Sequence, residues 1–178
     1  MTTENASDIL DRWYRRFKRS QAVYLEEFKD EEFSDLIAVL VAGGYFEGVL
    51  WVAAQVYFGY RPESDDKDLT LVPLIDKTRQ LLGPDLEKAM RRFSKIRNTF
   101  AHEPDCRLDR SAIEGLEALL PPKNRASLAK GLETFPDYTV GTKARLIFIE
   151  MVSALHERLN EENARRRAAS APQAGSSS

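Results

Sequence analysis

The segment from Leu36 to Phe58 constrains the fold of this chain more than any other. It is apolar on every side of a helix and is interrupted only by Glu47, one glutamine and three glycines. A helix that is apolar all round lies either at the centre of a protein core or in a membrane. Its length suffices to cross a bilayer, but an ionised Glu47 at mid-segment would cost about 3 kcal/mol or more there. We therefore expect a central core helix from about Ser34 to Gly59, and no membrane contact.

The rest of the chain also shows helical periodicity, and no alternating strand pattern is found. The predicted fold is therefore an all-α bundle of about five to seven helices, with the apolar second helix in the middle. Residues 1–163 form one domain in this interpretation, and 164–178 form a disordered tail rich in Ala, Ser and Gly. We expect a first helix from Ser7 or Asp8 to Phe28, a short helix over 72–82 and a fourth helix from Pro84 to about Ala101. Two short helices over 111–119 and 124–132 follow, and a last helix runs from about 140 to 160. Asp109 or Ser111 is expected to cap the helix over 111–119.

Composition places few limits on function. A length of 178 residues suits one domain, and 26 basic against 28 acidic residues give a net charge of −2. No global positive field therefore favours nucleic acid, and any contact with phosphates needs a local patch. A single cysteine, Cys106, excludes an intramolecular disulfide and suits a reducing cytosol, and the polar, acidic first residues are unlike a signal peptide. We expect a cytoplasmic location.

The most informative residues are the run from Arg97 to His102 at the end of the fourth helix, which Pro104 terminates. Asn98 and His102 are four residues apart and share a helical face. Arg97 and His102 are five apart and diverge by about 140°. One helix cannot easily aim both at one atom, whereas two copies packed about a two-fold axis would line one cleft with two arginines and two histidines. The spacing therefore predicts a homodimer that includes this helix.

The three polar side chains of this run suit phosphoryl chemistry. Arg97 is a permanent cation with a planar fork that matches phosphate oxygens. His102 carries an imidazole, the side chain that most often acts as a general acid or base. Asn98 can both donate and accept, and so can orient the histidine or a substrate hydroxyl. With one cysteine and two histidines in the chain, we expect no metal site and no cofactor.

This motif and its surroundings resemble the HEPN superfamily. The run Arg97-Asn98-x-x-Ala101-His102 fits its Arg-x-x-x-x-His signature. The wider order of elements resembles the mannitol-operon repressor-like branch: a helix rich in small residues with an embedded glutamate (residues 42–50), a short helix, a helix ending in the motif, and a long final helix. The resemblance covers roughly residues 30–160.

The resemblance implies two functions. In HEPN ribonucleases the histidine activates the ribose 2′-hydroxyl or protonates the leaving 5′-oxygen, while the arginine and its polar neighbour hold the scissile phosphate between two subunits. By resemblance these roles fall to His102, Arg97 and Asn98, with Glu47 supporting, in a metal-independent endoribonuclease for single-stranded RNA in a toxin or defence setting. The alternative is a non-catalytic, repressor-like transcriptional regulator or interaction module that acts through protein partners, including an antitoxin.

A purely structural role competes with the catalytic one. Glu47 needs a partner in so apolar a helix, and Arg97 is the obvious candidate. His102 would then only satisfy a carbonyl at the helix end. Both interpretations hold together if Glu47 orients Arg97 for phosphate. Arg91, Arg92 and Lys95 lie on the same helix and are weaker candidates for extending a positive groove toward RNA.

Overall fold

The computed structural model describes residues 12, 14, 15, 19, 31–60, 70–103 and 106–170. Within these ranges the chain is all-α and has no strand, as the sequence predicted. The predicted first helix lies mostly outside the described residues. Within its range, residues 12, 14, 15 and 19 are described, and all four are helical. Five helices have defined bounds: α1 over Glu31–Phe58, α2 over Leu71–His102, α3 over Arg110–Glu117, α4 over Pro122–Glu133 and α5 over Val140–Ser170.

The centre of the core is a contact of three aromatic rings. Phe93 of α2 lies edge-to-face against Phe46 of α1 and against Phe148 of α5, with ring centroids 5.1 Å apart in both pairs. All three side chains are fully buried. Perpendicular ring pairs at this distance are favourable beyond the apolar area they bury. The three longest helices therefore meet at Phe93.

Helix α1 is the central element that its sequence predicted, and it begins three residues earlier than expected. One face is buried against α2 and α5, including Ala42, Val49, Leu50 and Ala53. The segment Asp35–Phe58 is also long and apolar enough to cross a membrane by length and composition. A buried core helix satisfies the same criterion, and 44% of the most apolar stretch of 18 residues is buried here.

Helix α2 combines the two helices that the sequence predicted over 72–82 and from Pro84. They join at a kink at Gly83, whose φ of 70° and ψ of 169° interrupt the helix. Positive φ is accessible to glycine without steric cost, and Pro84 contributes no N–H to the helix. The element ends at His102 as expected.

Helix α3 begins as the sequence suggested, and of the two candidate caps Asp109 is the one used. Its carboxylate accepts a hydrogen bond from Ala112 N at 2.9 Å and another from the Ser111 hydroxyl at 2.6 Å. These two hydrogen bonds lower the pKa of Asp109, and the bond from Ser111 has the larger effect. Pro122 occupies the first turn of α4, where a missing N–H leaves no helical bond unmade.

The predicted end of the last helix near Asn160 was wrong, since α5 continues to Ser170. Its last turns hold the end of α1. Asn163 accepts a hydrogen bond from the Tyr57 hydroxyl at 2.7 Å, and Arg166 donates to the Tyr57 carbonyl at 2.6 Å. Glu162 pairs with Arg166 one turn later at 2.7 Å, which supports the exposed helix. The periodicity of apolar residues stops near 160, and beyond that point these polar contacts stabilise the helix instead.

A buried charge lies where α5 meets α1. Arg145 is only 6% exposed, and its Nε has no hydrogen-bond partner among the described residues. Burial lowers the pKa of Arg145, and the nearby Asp35 carboxylate offsets only part of this effect. Asp35 approaches the first turn of α5 so closely that a Cβ at Gly141 would collide with it. The positive end of the α5 dipole therefore also stabilises Asp35.

We expect Arg145→Met to be at least as stable as the wild type, and Arg145→Ala to lose about 1–3 kcal/mol through lost packing. A lowered pKa means that the folded chain holds the Arg145 proton less tightly than the unfolded chain, so at neutral pH the buried cation is a net cost. Methionine keeps most of the volume without the charge. Urea denaturation followed by circular dichroism measures both. A loss in the methionine variant as large as in the alanine variant would show that Asp35 depends on the guanidinium.

Candidate functional site

Arg97 lies where α2 crosses the small residues of α1. Its side chain covers Gly43, and a Cβ built at that glycine would lie 3.3 Å from Arg97 Cγ and 3.9 Å from Phe93 Cε1. The glycine therefore gives the arginine room to lie against α1 rather than extend into solvent. The helix that approaches α1 closely at Gly43 is α2 of the same chain. A Cβ at Gly44, by contrast, would meet nothing within 4 Å.

The guanidinium of Arg97 is held from two sides. Nη2 lies 3.4 Å from Glu47 Oε1, and Nη1 donates to Asn98 Oδ1 at 3.4 Å. The pairing of Arg97 with Glu47 that the sequence suggested is thus present. It is a loose pair, because Glu47 Oε1 is buried yet accepts no well-directed hydrogen bond within the described part of the chain. The oxygen has capacity for another donor.

Both partners remain accessible to a ligand. The Arg97 side chain is 29% exposed and that of Glu47 27% exposed. A guanidinium has five N–H donors, and within the described residues only the one directed at Asn98 Oδ1 makes a hydrogen bond. Arg97 is therefore an oriented cation with free donors at the protein surface, which suits recognition of an anionic oxygen.

His102 is the last residue of α2 and is exposed. Among the described residues its side chain makes no hydrogen bond, so the interpretation in which it caps the helix finds no contact to support it. The backbone closes the helix instead, since Glu103 N donates to Thr99 O at 2.8 Å. Within the described part of the chain, no hydrogen bond or ion pair of the imidazole competes with a substrate or a second subunit.

The two ends of the motif face in different directions. Arg97 packs against α1, whereas His102 lies five residues further on, about 140° around the helix. By the same helical phase, His102 shares its face with Lys95 and Lys88, which precede it by seven and fourteen residues. Four cavities on the described surface are lined by other residues than Arg97, Asn98 or His102. None of these four cavities therefore includes the motif.

Two of the three weaker RNA-binding candidates are engaged within the chain. Arg91 binds Asp76 and Glu87, and these carboxylates raise its pKa. Arg92 donates to the carbonyls of Ser111 and Ala112 at 3.1 and 3.2 Å, and its guanidinium occupies the space that a Cβ at Gly115 would need. The i,i+4 spacing of Glu87 and Arg91 was visible in the sequence.

Lys95, the third candidate, is exposed and has no ion pair or hydrogen bond from its ammonium group within the ranges that the structure describes. It remains available for an external anion. The partners of Arg92 come from α3, and no local pattern in the sequence indicates that contact.

Comparison with known proteins gives no assignment: no protein-family model matches the chain, and neither a curated protein nor a solved structure does. The resemblance to HEPN proteins therefore remains a prediction that rests on the motif, on Glu47 and on the order of elements. The structure contributes the positions of these side chains.

We expect the Glu47–Arg97 pair to contribute little to stability. In a double-mutant cycle of Glu47→Gln and Arg97→Met, the coupling free energy is predicted to stay below about 1 kcal/mol, because the pair is loose and partly exposed. The exposed pair Arg158–Glu161, at 3.2 Å, provides a matched control cycle. A coupling of several kcal/mol would assign Arg97 a structural role instead.

Proposed function

We propose that this protein is a metal-independent endoribonuclease that acts on single-stranded RNA. The observation that carries the proposal is the partly exposed guanidinium of Arg97, which Glu47 and Asn98 orient. Five residues later, His102 is exposed, and its side chain has no hydrogen bond within the described part of the chain. The resemblance to HEPN ribonucleases supplies the reaction for which such a pair is suited.

The reaction needs an acid, a base and a phosphate clamp. The ribose 2′-oxygen attacks the adjacent phosphorus and loses its proton to a base, while the bond from phosphorus to the 5′-oxygen breaks and that oxygen takes up a proton. The products are a 2′,3′-cyclic phosphate and a free 5′-hydroxyl. In this proposal His102 accepts the proton of the 2′-hydroxyl and gives it to the leaving 5′-oxygen, Arg97 binds the phosphate oxygens, and Asn98 positions the ribose or the histidine. The nucleophile belongs to the substrate, so the step requires no metal.

The proposal requires a second copy of the chain. Because Arg97 and His102 diverge around α2, one phosphate meets both only if they come from two subunits, which gives a homodimer with paired sites. The exposed side of α1 beside Glu47 is suited to such packing: Leu40 is 45% exposed and Gly44 faces open space. A toxin or defence role in the cytoplasm, with an antitoxin as partner, would follow from the resemblance.

A second candidate is a non-catalytic regulator or interaction module of the mannitol-repressor type. The observation that favours it is that Arg97 already has a carboxylate partner in the chain, while the four cavities lie elsewhere. On this alternative the motif fixes α1 against α2, and function resides on another surface.

RNA cleavage distinguishes the two candidates. Purified protein in EDTA is expected to cut labelled single-stranded RNA and to leave 2′,3′-cyclic phosphate ends. His102→Ala and Arg97→Ala should each lower the rate at least a hundredfold, since each removes a group that acts in the transition state. Arg125→Ala, which removes an exposed arginine on α4, is the matched control and should cut at the wild-type rate.

Intact RNA at micromolar wild-type protein, over substrates of several sequences, would contradict the ribonuclease proposal. So would equal activity in the His102→Ala and control variants. Thermal melting of each variant separates loss of chemistry from loss of fold.

A further inference from the structure

A groove between α2 and α3 combines an apolar floor with a positively charged wall. Its volume is about 510 Å³. Ile96 of α2, Ala112 of α3 and Leu119, just beyond α3, are half-buried and provide the floor. The lining is completed on the α2 side by Lys88, Arg91, Arg92, Lys95 and Thr99.

The unpaired charges in this groove are two lysines. Arg91 and Arg92 are held by acceptors of the chain itself, as described above. Lys88 and Lys95 are exposed, and neither ammonium group has an ion pair or hydrogen bond in the described ranges. They are seven residues apart on one face of α2, which places them about 10.5 Å apart along the helix axis, or two turns.

We propose that this groove binds an amphipathic, acidic helix of a partner protein. Two carboxylates seven residues apart on such a helix would face Lys88 and Lys95, and apolar side chains three or four residues along would lie on Ile96 and Leu119. Apolar anchors at helical spacing are the usual way in which a groove recognises a helix. The charges complement each other and fix the register of the helix.

The lining favours a peptide over RNA. Sequence-independent binding of single strands uses aromatic side chains for base stacking, and the groove is lined by none. Its two arginines, the best phosphate ligands present, already donate within the chain. An apolar floor contributes to affinity only when apolar side chains cover it.

This inference stands without the ribonuclease proposal, but it has a consequence for that site. Lys95 shares its helical face with His102, two turns away. An acidic helix seated on Lys88 and Lys95 would therefore place negative charge on the approach to His102. If the ribonuclease proposal holds, such a partner would hinder binding of RNA there.

Selection from a displayed library of helical peptides tests the groove. Peptides enriched on the wild-type protein are expected to carry acidic residues seven apart with apolar residues between them. A fluorescent peptide of the consensus sequence should bind the double variant Lys88→Glu/Lys95→Glu at least tenfold more weakly. The matched control Arg125→Glu/Lys130→Glu, with the same charge change on α4, should bind within twofold of the wild type. A peptide with lysines in place of the acidic residues should bind the Lys88→Glu/Lys95→Glu variant better than the wild type.

Three results would overturn the proposal. The first is that the enriched peptides lack the acidic pair, or that the same peptides are enriched equally on the Lys88→Glu/Lys95→Glu variant. The second is equal binding of the consensus peptide to that variant and to the wild type. The third is a labelled single-stranded RNA, rather than the peptide, that loses affinity in that variant. Unchanged circular dichroism and melting temperature establish that the variants are folded.

Discussion

The contact of Phe93 with Phe46 and Phe148 is the interaction on which the rest of the structure depends. It joins α1, α2 and α5 at one buried point, and it sets both the spacing and the rotation of α2 relative to α1. Protein interiors are close-packed, so this geometry tolerates little adjustment. The candidate site lies one helical turn beyond it, since Arg97 follows Phe93 by four residues and Glu47 is adjacent to Phe46.

This proximity explains the orientation of Arg97. The core holds α2 against Gly43, which leaves the arginine room only along the surface of α1 beside Glu47. The same rotation of α2 turns His102 away, onto the face shared with Lys88 and Lys95. The core therefore places the two ends of the motif, Arg97 and His102, on different surfaces of the chain. In the ribonuclease proposal, the second subunit brings these ends together.

Features that depend on local patterns could be predicted from the sequence. The apolar run of α1 marked the central helix, Gly83 and Pro84 marked the boundary between the two halves of α2, and the isolated charge of Glu47 indicated its pairing with Arg97. Features that depend on distant contacts could not. The extension of α5 rests on Arg166 reaching the end of α1, and Arg92 is engaged because α3 packs across it at Gly115. The groove at Lys88 was missed because its floor and wall come from two elements. A buried cation such as Arg145 has no sequence signature, since its burial follows from packing alone.

Subunit complementation tests the central claim, that the site is divided between two chains, most directly. His102→Ala and Arg97→Ala chains with different tags would be co-expressed, and heterodimers isolated through both tags. Each heterodimer contains one site with Arg97 from one chain and His102 from the other, so we expect about half of the wild-type rate of RNA cleavage, while both homodimers are inactive. An inactive heterodimer beside an active wild type would show that both residues act from one chain, and an inactive wild type would remove the site altogether.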